Sequence, residues 1–146
     1  MPVFPSVEWF DAIKTIVNSD AAFRHNGTID TIVGVKVGAQ IFELTFEAFE
    51  CEKIREAGEN DLRDMDFWME QDYDAWKDMI ENIKAHGKAD LTHTLNTLDL
   101  SQGGEGLARS HDGYRRDAFY RFNQSLQDFF DASARIDTQF AATVPA

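Results

Sequence analysis

The chain has 146 residues and a formal net charge of −12, from 14 basic and 26 acidic side chains. That balance argues against nucleic acid as a partner, because phosphate binding needs a basic footprint, and against adsorption to anionic membrane surfaces. The length suits one domain, and 43% hydrophobic residues is a globular composition rather than a disordered one.

Phenylalanine is the outlier, at twelve copies. A bulky side chain without a polar handle, used this often in a small domain, implies a thick core or the wall of an apolar cavity. Cys51 is alone, so no disulfide can form within the chain, and a reducing cytoplasm is the expected location. The opening "MPVFPSVEWF" lacks the basic and apolar regions of a secretory signal. No stretch approaches the roughly 20 apolar residues of a membrane span, so no stable membrane insertion is expected. The closing "ATVPA" is not a peroxisomal address.

Ser6 is placed to cap a first helix, with Glu8 near its positive end. Trp9, Phe10, Ile13, Ile16 and Val17 follow at helical spacing. "HNGT" at 25–28 reads as a breaker. From Thr28 the period becomes two, and "TIDTIVGVKVG" puts Thr31, Val33, Val35 and Val37 on one face. Gly38-Ala39 is a tight turn. "QIFELTFE" is the cleanest strand, with Phe42, Leu44 and Phe46 facing one way and Glu43, Thr45 and Glu47 the other. "AFECEKIRE" is a more polar third strand suited to an edge.

After the polar loop "AGENDLRD", the stretch "MDFWMEQDYDAW" gathers three aromatics and two methionines in an acidic chain. Its alternation predicts a strand with Met65, Phe67 and Met69 on one face. Asp72 or Asp74 then begins a helix striped with Tyr73, Trp76, Ile80 and Ile83, widened by Met79, and Gly87 stops it. Residues 91–110 are the least readable, with room for a short helix and a final strand around the Gly103-Gly104 pair. A last helix over 114–136 carries Phe119, Phe122, Leu126, Phe129, Ser133 and Ile136 at three-four spacing, broadened by Phe130.

The order of elements, carried by "DAAFRHNGTIDTIVGVKVGAQIFELTFE" and "DMDFWMEQDYDAW", resembles the sterol carrier protein family of the non-specific lipid-transfer type. In that family a Gly-containing loop enters a strand meander. A fourth strand with an Asp-hydrophobic start then leads into a helix with an early Trp. Asp66-Phe67 and Asp74-Ala75-Trp76 occupy those places, and the match covers residues 6–85. The sequence departs from the pattern at Glu70-Gln71, where the family often has a Gly-containing turn. The usual glycine-rich last strand is faint in "GGEGLARS", and the Phe-rich final helix is an addition or a replacement of the usual tail.

The resemblance implies an α+β domain, with a curved, mostly antiparallel sheet of about five strands covered by helices and an added C-terminal helix. It also implies an apolar tunnel that holds a fatty acid, an acyl chain or a sterol without covalent chemistry; a terpenoid is a further candidate ligand, and no cofactor is expected. The candidate wall residues are Phe42, Leu44, Phe46, Phe67, Met69, Trp76, Met79 and Phe122. Phe and Met suit a tolerant pocket, Met because its unbranched thioether adapts to irregular shapes. The same residues at strand and helix spacing also suit ordinary core.

Motifs for chemistry are sparse. His25, His86, His93 and His111 show no i, i+4 pair on a predicted helix and no neighbouring cysteine, so no zinc spacing arises and surface roles are expected. Glu50 and Glu52 beside Cys51 work against a reactive thiolate. There is no nucleophile elbow, P-loop or dinucleotide fingerprint. Glu105 inside "GGEG" would repel phosphate, and "GENDLRDMD" reads as a solvated loop. One enzyme alternative is a small α+β isomerase or hydrolase of the ketosteroid-isomerase type, working through a buried carboxylate. The helical C-terminus ranks it lower. The final helix can close the tunnel as a lid, complete the core, or dock a second copy or an enzyme partner, making the chain an accessory subunit with a filled tunnel.

Overall fold

The computed structural model describes residues 2–21, 23, 30–47, 50–91, 93–95, 98–99, 107–110 and 117–141. Ser6 starts the first helix as its sequence position predicts. Its backbone is extended and its hydroxyl oxygen accepts the Trp9 N–H at 3.1 Å. Helix α1 (Val7–Asn18) then buries Trp9, Phe10, Ile13 and Val17.

The meander follows as β2 (Thr31–Val37), β3 (Gln40–Glu47) and β4 (Glu50–Ala57), after a short N-terminal strand β1 (Val3–Phe4). Gly38 has a φ of 59° at the β2–β3 turn, a left-handed conformation that glycine adopts without a Cβ penalty. A bulge at Thr45/Phe46 keeps Phe46 opposite Cys51, so the apolar face continues past the irregularity. Strand β5 (Phe67–Gln71) returns alongside β2 in parallel, and β6 (Ala108–Arg109) pairs antiparallel with β5. The sheet order is β4-β3-β2-β5-β6, open and antiparallel except for the central β2–β5 pair.

Helix α2 (Tyr73–His86) begins at Asp72, whose carboxylate accepts the Ala75 N–H at 2.8 Å, and ends at Gly87 with a φ of 84°. Helix α3 (Ala118–Asp131) tightens into a 3-10 turn, Ala132–Arg135. The chain then forms β7 (Gln139–Phe140), which pairs in parallel with β1. Trp9 Nε1 donates to Thr138 Oγ1 at 3.0 Å and the Tyr73 hydroxyl to the Ala141 carbonyl at 2.7 Å, which fastens this segment to α1 and α2.

Helices α1, α2 and α3 cover one face of the sheet. Val33, Val35, Val37, Phe42, Leu44, Phe46, Phe67 and Met69 from that face share one core cluster with the buried residues of α1, α2 and α3. The opposite face carries a smaller cluster of Ile41, Leu62, Met65 and Trp68, capped by the 3-10 turn Glu59–Asp64. Met65 therefore does not share a face with Phe67 and Met69, contrary to the alternation in the sequence. The strand begins only at Phe67, and Asp66 ties the preceding backbone to β2. Its N–H donates to the Ile32 carbonyl at 2.9 Å, and its carboxylate accepts the Ile32 N–H at 2.9 Å.

The breaker at 25–28, the Gly103-Gly104 pair, His25 and His111, and the expected start of the last helix at 114–116 lie outside the described residues.

Candidate ligand-binding interior

The space between sheet and helices is where the eight candidate wall residues meet. Phe42, Leu44 and Phe46 project from β3, Phe67 and Met69 from β5, and Trp76 and Met79 from α2, and each is at most 2% exposed. Phe122 on α3 is half-buried and packs at the margin of the same cluster. The sequence pattern thus gathers all eight around one core, seven inside it and one at its edge.

Rings from the helices occupy the middle of that core. Phe10 of α1 lies 5.0 Å from Phe42, measured between ring centroids. Helix α3 supplies the others: Phe119 meets Phe67 at 5.9 Å, Phe129 meets Phe46 at 5.7 Å, and Phe130 stacks on Trp76 at 5.3 Å. Edge-to-face and offset contacts at these distances contribute about 0.5–1.5 kcal/mol each beyond area burial. Trp76 has its polar edge satisfied, since Nε1 donates to the Lys36 carbonyl at 2.9 Å. That bond fixes the start of α2 against β2.

Few polar atoms enter the interior. The Ser133 hydroxyl, in a residue 1% exposed, has no hydrogen-bond partner among the described residues. It sits in the 3-10 turn after α3, which packs on α1 and α2. The buried carboxylate of Asp99 is fully engaged in holding β6. It accepts the Leu107 and Ala108 N–H groups at 2.8 and 3.0 Å and the Tyr120 hydroxyl at 3.3 Å. Glu43, buried on the far face of the sheet, is gripped by Arg55 through two nitrogens. Asp131 is held above the usual carboxylate range, chiefly by desolvation, against the Ala89 N–H and Gln127 amide that stabilise its anion.

Among the described residues, three surface hollows border this core, and none of the three is lined by the eight residues. One of about 430 Å³ between α2 and β7 is floored by Ile80, Ala85 and Phe140, with Glu81, Lys84 and Asp137 at its rim. Ile80 is a core residue four positions from Trp76, so this hollow abuts the interior on the face of α2 that carries Trp76. A second, of about 290 Å³, lies among Val17, Asp20, Phe23, Asp131 and Arg135. The third, of about 420 Å³, adjoins Lys14, Asn18, Glu47 and Cys51.

Burial pushes the Cys51 thiol up to about 12, with Lys14 opposing weakly. The sequence suggests the same direction from Glu50 and Glu52, but desolvation is the dominant cause. His93 links two acidic side chains. Its ring is bridged by Asp78 and Asp90, partners 15 and 3 positions away, a link no local motif signals. Among the described residues no group of three His, Cys, Asp or Glu side chains is placed to hold a metal ion, and no helix is long and apolar enough to cross a membrane.

No family model, curated protein or solved structure matches the chain.

Proposed function

We propose that the protein binds a hydrophobic small molecule, an acyl chain, sterol or terpenoid, non-covalently between its sheet and its helices, with α3 as a movable cover. One observation carries this reading. Three residues of the apolar wall, Phe46, Phe67 and Trp76, are each capped by a phenylalanine from α3. A ligand of this class would take the place of those rings, exchanging one set of apolar contacts for another at about 0.8 kcal/mol per buried methylene. The hollow over Ile80 offers an approach, and the Ser133 hydroxyl a partner for a single polar atom on the ligand. The resemblance of the sequence to the sterol carrier family points to the same ligand class.

Titration of the full chain with a fluorescent sixteen-carbon fatty acid tests the proposal. Saturable one-to-one uptake, with energy transfer from tryptophan, supports it. No uptake by a folded protein overturns it.

A second reading is favoured by the near-complete burial of seven of the eight wall residues. In it the interior is permanently filled by α3, and the domain serves as an accessory module for a second copy or an enzyme partner. Its signature is a defined complex in solution together with failure to take up any hydrophobic probe.

A further inference from the structure

After α2 ends at Gly87, Ala89 and Leu95 are bonded to α3, and Asp90 and His93 to α2. Ala89 donates its N–H to Asp131 Oδ1 of α3 at 3.1 Å, and the fully buried Leu95 donates to Gln127 Oε1 of α3 at 2.7 Å. Between these points Asp90 and Asn82 of α2 exchange two hydrogen bonds of 2.9 Å. His93 completes the attachment. Its Nε2 lies 2.8 Å from Asp78 Oδ2 of α2, and its Nδ1 lies 2.8 Å from Asp90 Oδ1. The segment is a strap across the two helices that flank the interior.

The chemistry of that last link depends on one proton. Ionised carboxylates only accept hydrogen bonds, so both ring nitrogens must donate, and only the imidazolium carries two N–H groups. A neutral ring would turn a lone pair toward one carboxylate at 2.8 Å. Among the described residues, Asp78 from α2 and Asp90 from the strap are titratable groups that face the ring, while Asp131 of α3 meets the strap backbone at Ala89. The weaker anchor is Asp78, whose side chain is 71% exposed against 44% for Asp90, which Asn82 also holds. The hydrogen bond that Asp90 accepts does most to raise the imidazole above its ordinary range; desolvation opposes it, and the bond that Asp78 accepts adds to the rise.

We infer that His93 is a proton-operated clasp: as the imidazolium it ties Asp78 to Asp90 and fastens the strap across α2 and α3, and on losing its proton it releases Asp78 and loosens α3. Control of ligand entry by this clasp rests on the reading of α3 as the cover of the interior.

Amide hydrogen exchange of Ala89 and Leu95, followed by NMR on the full chain and corrected for the intrinsic pH dependence, reads the clasp without any ligand. His93→Gln removes the switching proton. Asp78→Asn, at an exposed helix position that does not threaten folding, removes the weaker anchor. The expected result is that protection at these amides falls about tenfold as the pH rises through the His93 titration in the parent chain. It stays flat with pH in both variants. Protection that is flat in the parent chain, or that falls equally in His93→Gln, overturns the clasp. The uptake rate of the fluorescent fatty acid on the same samples separates the two claims. Faster uptake on the alkaline side supports clasp and cover together. Switching protection with pH-independent uptake supports the clasp and overturns α3 as the cover.

Discussion

Phe130→Ala removes the ring on which the three helices converge. Phe130 is fully buried and its centroid lies 5.3 Å from that of Trp76, 5.7 Å from Phe129, 6.3 Å from Trp9 and 6.5 Å from Phe10. Truncating a phenylalanine in such a site costs about 3–5 kcal/mol, from lost transfer energy plus the cavity left behind. Four aromatic neighbours on three helices limit how far the site can collapse, so a value near the middle, about 4 kcal/mol, is expected. With a urea dependence of about 2 kcal/mol per molar, the unfolding midpoint falls by about 2 M. The ring-sized void also removes an obstacle to the proposed ligand. Fatty acid should bind the variant more tightly than the parent chain, and at a hundred times its Kd should restore about 2.7 kcal/mol. Urea titrations followed by tryptophan fluorescence, with and without fatty acid, measure both effects. A midpoint change under about 0.5 M would refute the packing argument. Loss of stability with no ligand rescue would show that the interior is core only.

Further outcomes follow from the same geometry. A Cβ on Gly34 would lie 2.6 Å from Met65 Sδ and 2.8 Å from Trp68 Cβ, so Gly34→Ala overpacks the far face of the sheet. It should lower stability by about 1–3 kcal/mol, and adding Met65→Ala should recover only part of the thermal midpoint, because the Trp68 contact remains. Cys51 is fully buried with its thiol pushed up to about 12, so it should not react with an aromatic disulfide reagent at mildly alkaline pH until urea unfolds the chain. Prompt labelling of the native protein would contradict this. The raised His93 imidazole adds stability that is fully present below its unfolded pKa of about 6.5 and is lost as pH rises through the folded value. The urea midpoint of His93→Gln should therefore approach that of the parent chain on the alkaline side, and a gap that widens there would reverse the sign.

Much of the architecture is legible locally because its signals are local. Ser6 and Asp72 accept the N–H groups that their positions predict, and Gly38 and Gly87 take the left-handed backbone conformations that a turn and a helix end require. The alternation of "QIFELTFE" becomes β3 residue for residue, since one strand face must enter the core. What the sequence hides is set by distant partners. Met65 leaves the expected face because Asp66 is anchored to Ile32 and because Gly34, 31 residues earlier, leaves space for its sulfur. The parallel pairing of β1 with β7 joins opposite ends of the chain through two residues each, too short for any periodic pattern. Of the candidate site, the wall residues are readable from periodicity. Their capping by Phe119, Phe129 and Phe130 depends on where α3 crosses the sheet, which periodicity cannot specify.

The most direct test of hydrophobic-ligand binding is native mass spectrometry on protein purified without detergent, followed by solvent extraction and a challenge with fatty acid. The expected result is an adduct of small-molecule mass on the folded species, released by the solvent and replaceable by the added fatty acid. A clean apo mass that takes up no fatty acid would contradict it, and the oligomer mass in the same spectrum would then point to α3 as a permanent filler in an accessory module.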